Sequence, residues 1–127
     1  MVGIVIVSHS EKLADGVVEL VKMMSPNCLI AASGGLSDGG LGTDYNKIND
    51  AINNIYNEDG LLIIMDMGSA IMTTEMAIEF NSDKKLVMVD CPIVEGAVIA
   101  SISACQNKSL EAIIDEIKTQ SFKKILD

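Results

Sequence analysis

The chain has 127 residues, 49% of them apolar, which is enough for one domain with a packed core and too hydrophobic for a disordered segment. Eighteen acidic residues against nine basic ones leave a formal charge of -9, which argues against a nucleic-acid groove or an anionic-membrane surface and makes a basic protein the expected macromolecular partner.

Val2 to Val7 is a nearly unbroken β-branched run that stops at Ser8-His9-Ser10, as a strand buried on both faces does. Behind it Leu13, Val17, Leu20, Val21 and Met24 recur at helical spacing with Glu11, Lys12, Asp15, Glu19 and Lys22 on the other side, and Ser25-Pro26-Asn27 ends this first helix. Cys28 to Ala32 predicts a second strand. Ser33 to Gly42 then reads SGGLSDGGLG, a glycine-rich loop. Thr43 stands where an N-cap is expected for a second helix with the buried stripe Ile48, Ala51, Ile52, Ile55 and Tyr56, closed by Asp59-Gly60.

Leu61 to Met65 predicts the third strand, which runs straight into Asp66-Met67-Gly68-Ser69. A third helix from about Ser69 to Phe80 is expected to pack Met72, Met76 and Phe80 inward. Asn81 to Lys85 turns the chain into a fourth strand, Leu86 to Val89. Asp90-Cys91-Pro92 opens a small-residue helix from Ile93 to about Gln106, poor in charge and expected to lie partly in a dimer interface. Ser109 caps a last amphipathic helix carrying Leu110, Ile113, Ile114 and Ile117.

This alternation predicts one α/β domain over residues 1–127: a doubly wound, mainly parallel four-stranded sheet of order 2-1-3-4 with helices on both faces. In that order the topological switch lies between strands one and three, and a ligand site is expected beyond their carboxyl ends. Those ends are Ser8-His9-Ser10 and Asp66-Met67-Gly68-Ser69. No apolar run is long enough to span a membrane and no basic n-region precedes Glu11, so a soluble, cytoplasmic protein is expected.

All nine cations are Lys, so the planar bidentate clamp of arginine is absent. His9, the single histidine, follows a buried strand and precedes a helix, where the backbone N–H groups of Ser10 to Lys12 and the positive helix end surround its ring. A second helix start around Gly68 to Ile71 faces the same crevice, and two such ends make an anion site built from backbone. Asp66, beside strand one, is placed to accept the Nδ1 proton of His9, fixing the tautomer and leaving Nε2 as a nucleophile. Gly34, Gly35, Gly39, Gly40 and Gly42 either permit sharp turns or approach a bound group or partner directly, and both readings stand; the loop is neither a dinucleotide fingerprint nor a P-loop. Cys28, Cys91 and Cys105 form no CxxC pair and read as reduced, small buried hydrophobes, and no metal site is expected.

GIVIVSHS at Gly3 to Ser10, LADG at Leu13 to Gly16, GGLSDGGLGT at Gly34 to Thr43 and LLIIMDMGSAIMTTEMA at Leu61 to Ala77 together resemble the phosphotransfer subunit of the bacterial dihydroxyacetone kinase driven by phosphoenolpyruvate. That domain is in turn similar to the mannose-type enzyme IIA of the sugar phosphotransferase system, and the resemblance covers essentially the whole chain. It implies a homodimer in which His9 takes a phosphoryl group on Nε2 from the phosphocarrier protein HPr. The group then passes to ADP held with magnesium on an ADP-binding kinase subunit, and from there to dihydroxyacetone on a third subunit, with no cofactor on this chain. It also carries the supporting carboxylate onto Asp66 and phosphate contacts onto Gly68 and Ser69. The residues themselves add Ser10 as a phosphate contact and Gly34, Gly35, Gly39, Gly40 and Thr43 as candidate partner or loop contacts. Some members continue into fused carrier domains, so a chain ending at Asp127 is expected to depend on separate upstream proteins.

The alternative is a mannose-type component feeding a membrane sugar permease. Those enzymes usually carry Trp and Pro after the aspartate, where this chain has Met67-Gly68-Ser69-Ala70, which favours the dihydroxyacetone reading. A receiver domain phosphorylated on Asp66 needs an acidic magnesium pair after strand one, which Ser8-His9-Ser10 does not supply. A phosphohistidine mutase or phosphatase lacks its arginine clamp here, and a plain binding module would leave His9 as an ordinary loop residue.

Overall fold

A computed structural model describes residues 1–124. The elements in chain order are β1 (Gly3–Ser8), α1 (Glu11–Met24), β2 (Ile30–Gly34), α2 (Tyr45–Ile55), β3 (Leu61–Met65), a 3-10 turn (Gly68–Ala70), α3 (Ile71–Phe80), β4 (Leu86–Val89), α4 (Ile93–Cys105) and α5 (Leu110–Thr119). The four strands are all parallel in the order β2-β1-β3-β4, the doubly wound α/β topology expected from the alternation. The single-domain reading over 1–127 includes Ile125 to Asp127, which lie outside the described residues.

Every residue of β1 is buried, and consecutive side chains serve opposite layers. Ile4 and Ile6, with Leu62 and Ile64, pack against Ala14, Val17 and Val21 of α1, Ala97 and Ala100 of α4, and Ile113 and Ile117 of α5. Val5 and Val7, with Leu61 and Ile63, pack against Ile48, Ala51 and Ile52 of α2 and Ala77 of α3. The register sets Ser8 beside Gly34 and Val7 beside Met65, so His9, Gly35 and Asp66 leave the sheet at one edge of the two central crossings.

Three sequence expectations shift. The second strand starts at Ile30 rather than Cys28: Cys28 N–H closes a turn on Ser25 O at 3.1 Å, and the first ladder pair is Ile4 with Ile30. The N-cap of α2 is Asp44, not Thr43, because the carboxylate takes the amides of Asn46 and Lys47 at 2.8 and 3.3 Å and also complements the helix dipole. Thr43 instead bonds Thr73 of α3, hydroxyl to hydroxyl, at 3.0 Å.

In α3 the expected stripe points outward: Met72 and Phe80 are each 76% exposed and Met76 is 50% exposed, while Thr74 and Ala77 are buried. Apolar residues are spread around the helix with Thr73, Thr74, Glu75 and Glu79 between them, so periodicity gives no clear phase, and the tighter 3-10 turn before it rotates the helix relative to a continuous α-helix. On α4 the small-residue face packs inside the chain, while Val94 and Ile102 stay exposed on the helix. Gly96, Ala97, Ala100, Ser101, Ser103 and Ala104 are buried and α4 packs on β1, α1 and α5, so its lack of charge reflects close helix packing.

Candidate functional site

The chain leaves β1 through Ser8, His9 and Ser10 and leaves β3 through Asp66, whose N–H still bonds Val7 O at 3.1 Å, one step past the last strand residue. That bond fixes the height of Asp66 beside His9. The carboxylate then makes three contacts. Oδ1 lies 3.0 Å from His9 Nδ1, and Oδ2 accepts the His9 backbone N–H at 3.0 Å and the Ser8 hydroxyl at 2.8 Å. On the far side of the ring Ser69 Oγ lies 2.8 Å from Nε2. The His9 side chain is 22% exposed and that of Asp66 13%, so the ring opens to solvent and the carboxylate stands behind it.

Partial burial works to raise the Asp66 carboxyl, but the hydrogen bonds from the His9 amide, the His9 ring and the Ser8 hydroxyl outweigh it and hold the group below the usual carboxylate range. An ionised carboxylate only accepts, so Nδ1 carries the hydrogen; in the neutral ring Nε2 is then the lone-pair atom, and the Ser69 hydroxyl donates to it. A proton-free nitrogen on a partly exposed ring, steadied from behind by an anion, is equipped for nucleophilic attack and for carrying the positive charge that follows.

Ser10 is the N-cap of α1: its hydroxyl accepts Leu13 N–H at 3.2 Å and its own N–H bonds Ser8 Oγ at 3.0 Å. Gly68 and Ser69 open the 3-10 turn on the other side of the ring. Next to them a cleft of about 450 Å3 runs between the ends of β3 and β4, bordered by Asp66, Met67, Gly68, Ile71, Asp90 and Cys91.

The glycine loop is bound to the same strand end by its own backbone. Gly35 N–H bonds Ser8 O at 3.1 Å and Gly42 N–H bonds His9 O at 2.9 Å. A Cβ on Gly34 would stand 2.7 Å from Glu11 Cα and 2.8 Å from Ala14 Cβ, so this position requires glycine for close approach to α1. Gly39 and Gly40 lie further out, in the turn that Leu36 N–H to Gly40 O and Gly39 N–H to Leu36 O close. Thus Gly34, Gly35 and Gly42 touch the site's main chain, whereas Gly39 and Gly40 shape the loop tip.

Two contributors escaped the sequence reading. Ser8 ends an apolar run and looked like a strand terminus; its signal is a polar side chain in the buried alternation directly before His9. Lys47 donates from Nζ to Gly34 O at 2.6 Å and lies 3.6 Å from Glu11, tying the loop to α1 and α2, and no spacing rule connects residues 34 and 47.

The family model for EIIA-man, described as the PTS system fructose IIA component, matches residues 3–118. The chain belongs to this family. Among EIIA-man relatives, the Listeria innocua protein named PEP-dependent dihydroxyacetone kinase 2, phosphoryl donor subunit DhaM, is 40% identical over 92% of this chain and 97% of its own length. The Lactococcus lactis PTS-dependent dihydroxyacetone kinase phosphotransferase subunit DhaM is 37% identical over 96% of this chain and 98% of its own. The Escherichia coli phosphoryl donor subunit DhaM is 38% identical over 90% of this chain, which spans only 26% of that longer protein. Among solved structures, a protein of unknown function is 35% identical with a TM-score of 0.83, covering 98% of both chains. The EIIA component from Streptococcus agalactiae, at 18% identity and a TM-score of 0.74 over 100% of this chain and 97% of its own, shares the fold.

Proposed function

We propose that this EIIA-man domain is the phosphoryl-carrying subunit of a dihydroxyacetone kinase fed by phosphoenolpyruvate. His9 Nε2 attacks the phosphoryl group of phosphorylated HPr and forms a P–N bond as the donor's bond to phosphorus breaks. In the second half-reaction the P–N bond breaks and the phosphoryl group passes to ADP, held with magnesium on a separate kinase subunit, and then to dihydroxyacetone on a third. This chain holds no cofactor of its own, because phosphoryl transfer asks mainly for positioning and charge stabilisation, and the metal and nucleotide arrive with the acceptor. Cytoplasmic placement follows from such partners.

The observation that carries the reading is the arrangement of one ring: Nδ1 held by Asp66 and Nε2 on the exposed side, facing the Ser69 hydroxyl. On phosphorylation Ser69 rotates from Nε2 to a phosphoryl oxygen, joined by backbone N–H groups near Gly68 and by the Ser10 hydroxyl proton, which the cap bond leaves available. Asp66 balances the positive ring. The names of the Listeria and Lactococcus relatives, which this chain matches along almost their whole length, favour the kinase over a sugar-permease acceptor. A homodimer is part of the proposal, supported by the apolar surface that Met72, Met76 and Phe80 expose on α3.

Incubation with phosphoenolpyruvate, enzyme I and HPr tests it. The expected result is an acid-labile, alkali-stable phosphate on the wild type, absent from His9→Ala, that transfers to an ADP-loaded kinase subunit and not to a sugar-permease component. Label persisting in His9→Ala overturns the assignment of His9, and transfer to the permease component overturns the acceptor. Sedimentation showing only monomer rejects the dimer.

A further inference from the structure

We propose that Ser8 is a positioning residue for the phosphoryl relay: its buried hydroxyl fastens the Asp66 carboxylate to the start of α1 and thereby aims Asp66 Oδ1 at the His9 ring. The inference rests on the reading of His9 as phosphoryl acceptor for its kinetic consequence, but its geometric content stands apart from that reading.

Ser8 is the last residue of β1 and is 1% exposed. Its Oγ has two polar neighbours, Ser10 N–H at 3.0 Å and Asp66 Oδ2 at 2.8 Å. An amide N–H can only donate, so the serine must accept there, and its single proton goes to the carboxylate. The direction of the chain is therefore fixed: Ser10 N–H to Ser8 Oγ, Ser8 O–H to Asp66 Oδ2. Because Ser10 is the N-cap of α1, the carboxylate is hooked, through one side chain, to the positive end of a fourteen-residue helix.

The consequence lies in the torsion of the carboxylate. Oδ2 receives two donors, the Ser8 hydroxyl and the His9 backbone N–H, both from the end of β1. Two fixed donors on one oxygen leave the carboxyl plane one orientation, and in that orientation Oδ1 reaches Nδ1. Removing the hydroxyl leaves Oδ2 with the His9 N–H alone, frees rotation about Cβ–Cγ and strands Ser10 N–H without a partner. Ser8 makes no hydrogen bond to the ring; it acts on the relay through its two partners, Asp66 and Ser10 N–H, and the ring and carboxyl measurements read the Asp66 route. The other ionisable groups facing Asp66 are the His9 ring and, across the cleft, Asp90 and Cys91; none of these supplies an anchor that replaces Ser8.

Ser8→Ala and Ser8→Thr test the proposal, the first deleting only the hydroxyl and the second keeping it. Two measurements are made on the unphosphorylated, full chain by nuclear magnetic resonance: the His9 ring nitrogen shifts with their tautomer ratio, and the titration of the Asp66 carboxyl carbon. In Ser8→Ala the Asp66 titration is expected to move upward toward the ordinary carboxylate range and the fraction of ring with hydrogen on Nδ1 to fall, with both restored in Ser8→Thr. Phosphorylation from HPr is expected to slow by about tenfold or more in Ser8→Ala with the KM for the donor unchanged, the loss of a hydrogen bond to a charged group. A Ser8→Ala protein whose ring shifts and carboxyl titration match the wild type overturns the proposal, whether or not its rate falls. A wild type that takes no phosphate on His9 overturns the relay reading instead, and the ring and carboxyl measurements still decide Ser8.

Discussion

The carboxylate of Asp66 grips both the backbone and the ring of His9: one oxygen accepts the His9 N–H and the other faces Nδ1, each at 3.0 Å. The two residues are 57 apart in sequence and are brought level by the parallel pairing of β1 with β3. Since the N–H and the ring belong to the same residue, the carboxylate fixes the ring's rotation as well as its tautomer.

That double grip makes Asp66→Asn a sharper test than deletion. An amide placing NH2 at the Oδ2 position meets the His9 N–H, donor against donor, and the flipped amide meets Nδ1–H instead. Neither orientation reproduces the acceptor pair. Stopped-flow phosphorylation by phospho-HPr is expected to slow by roughly 10- to 100-fold in Asp66→Asn, with onward transfer slowed as well, while circular dichroism stays native. Wild-type rates would mean that the pair does not orient the ring.

Much of this geometry was legible from residue order alone. The β-branched run at Val2 to Val7 and the apolar run at Leu61 to Met65 end in polar residues, and the switch-point rule places those ends side by side. The phase of α3 was not legible, because apolar residues scattered around the helix among Thr73, Thr74, Glu75 and Glu79 mark no single face, and a 3-10 turn resets it. The carboxylate cap of α2 was hidden by a threonine immediately before it. Ser8 was hidden because a small polar residue closing a strand resembles a turn signal, and its partner lies 58 residues away.

Acid stability follows from the same carboxylate. The folded-state value of Asp66 is depressed, so its hydrogen bonds contribute stability that is fully present above the unfolded carboxylate range, near pH 4, and is lost as pH falls through the lower folded value. The stability gap between wild type and Asp66→Asn is therefore expected to be full near neutrality, to begin shrinking near pH 4 and to close only as pH falls through the lower folded value. Urea unfolding at a series of pH values measures it. A gap that stays constant to pH 2 would show that ionisation of Asp66 is not what the fold uses.

Glycines separate by what surrounds them. Gly34→Ala drives a methyl into Glu11 Cα and Ala14 Cβ, and overpacking of that kind costs about 1–3 kcal/mol. Gly39 has open space but a φ of +88°, so Gly39→Ala is expected to cost about 1–2 kcal/mol through backbone strain alone. Gly16, inside α1 with no atom within 4 Å of an added Cβ, is the reverse case: Gly16→Ala is expected to stabilise by about 0.5–1 kcal/mol. Thermal unfolding of the three variants should rank them with Gly16→Ala above wild type, and Gly34→Ala alone should also slow phosphorylation, because its loop is bonded to the Ser8 and His9 carbonyls. A destabilised Gly16→Ala would contradict the open surroundings of that residue.

Cys91 borders the cleft beside Asp66, yet its thiol is a poor nucleophile. Burial first, and the adjacent Asp90 carboxylate second, push it up to about 11. At pH 8 only about one molecule in a thousand then carries the thiolate, against roughly a quarter for an ordinary exposed cysteine. Iodoacetamide labelling at Cys91, followed by peptide mass mapping, is therefore expected to run on the order of 100-fold slower than for a free thiol and to accelerate steadily up to pH 10. Asp90→Asn removes the smaller of the two causes, so it should speed labelling modestly and leave the reaction well below the free-thiol rate. Labelling of the native protein at the free-thiol rate would mean that Cys91 is not shielded where β4 passes into α4, and the cleft wall on that side would have to be drawn differently.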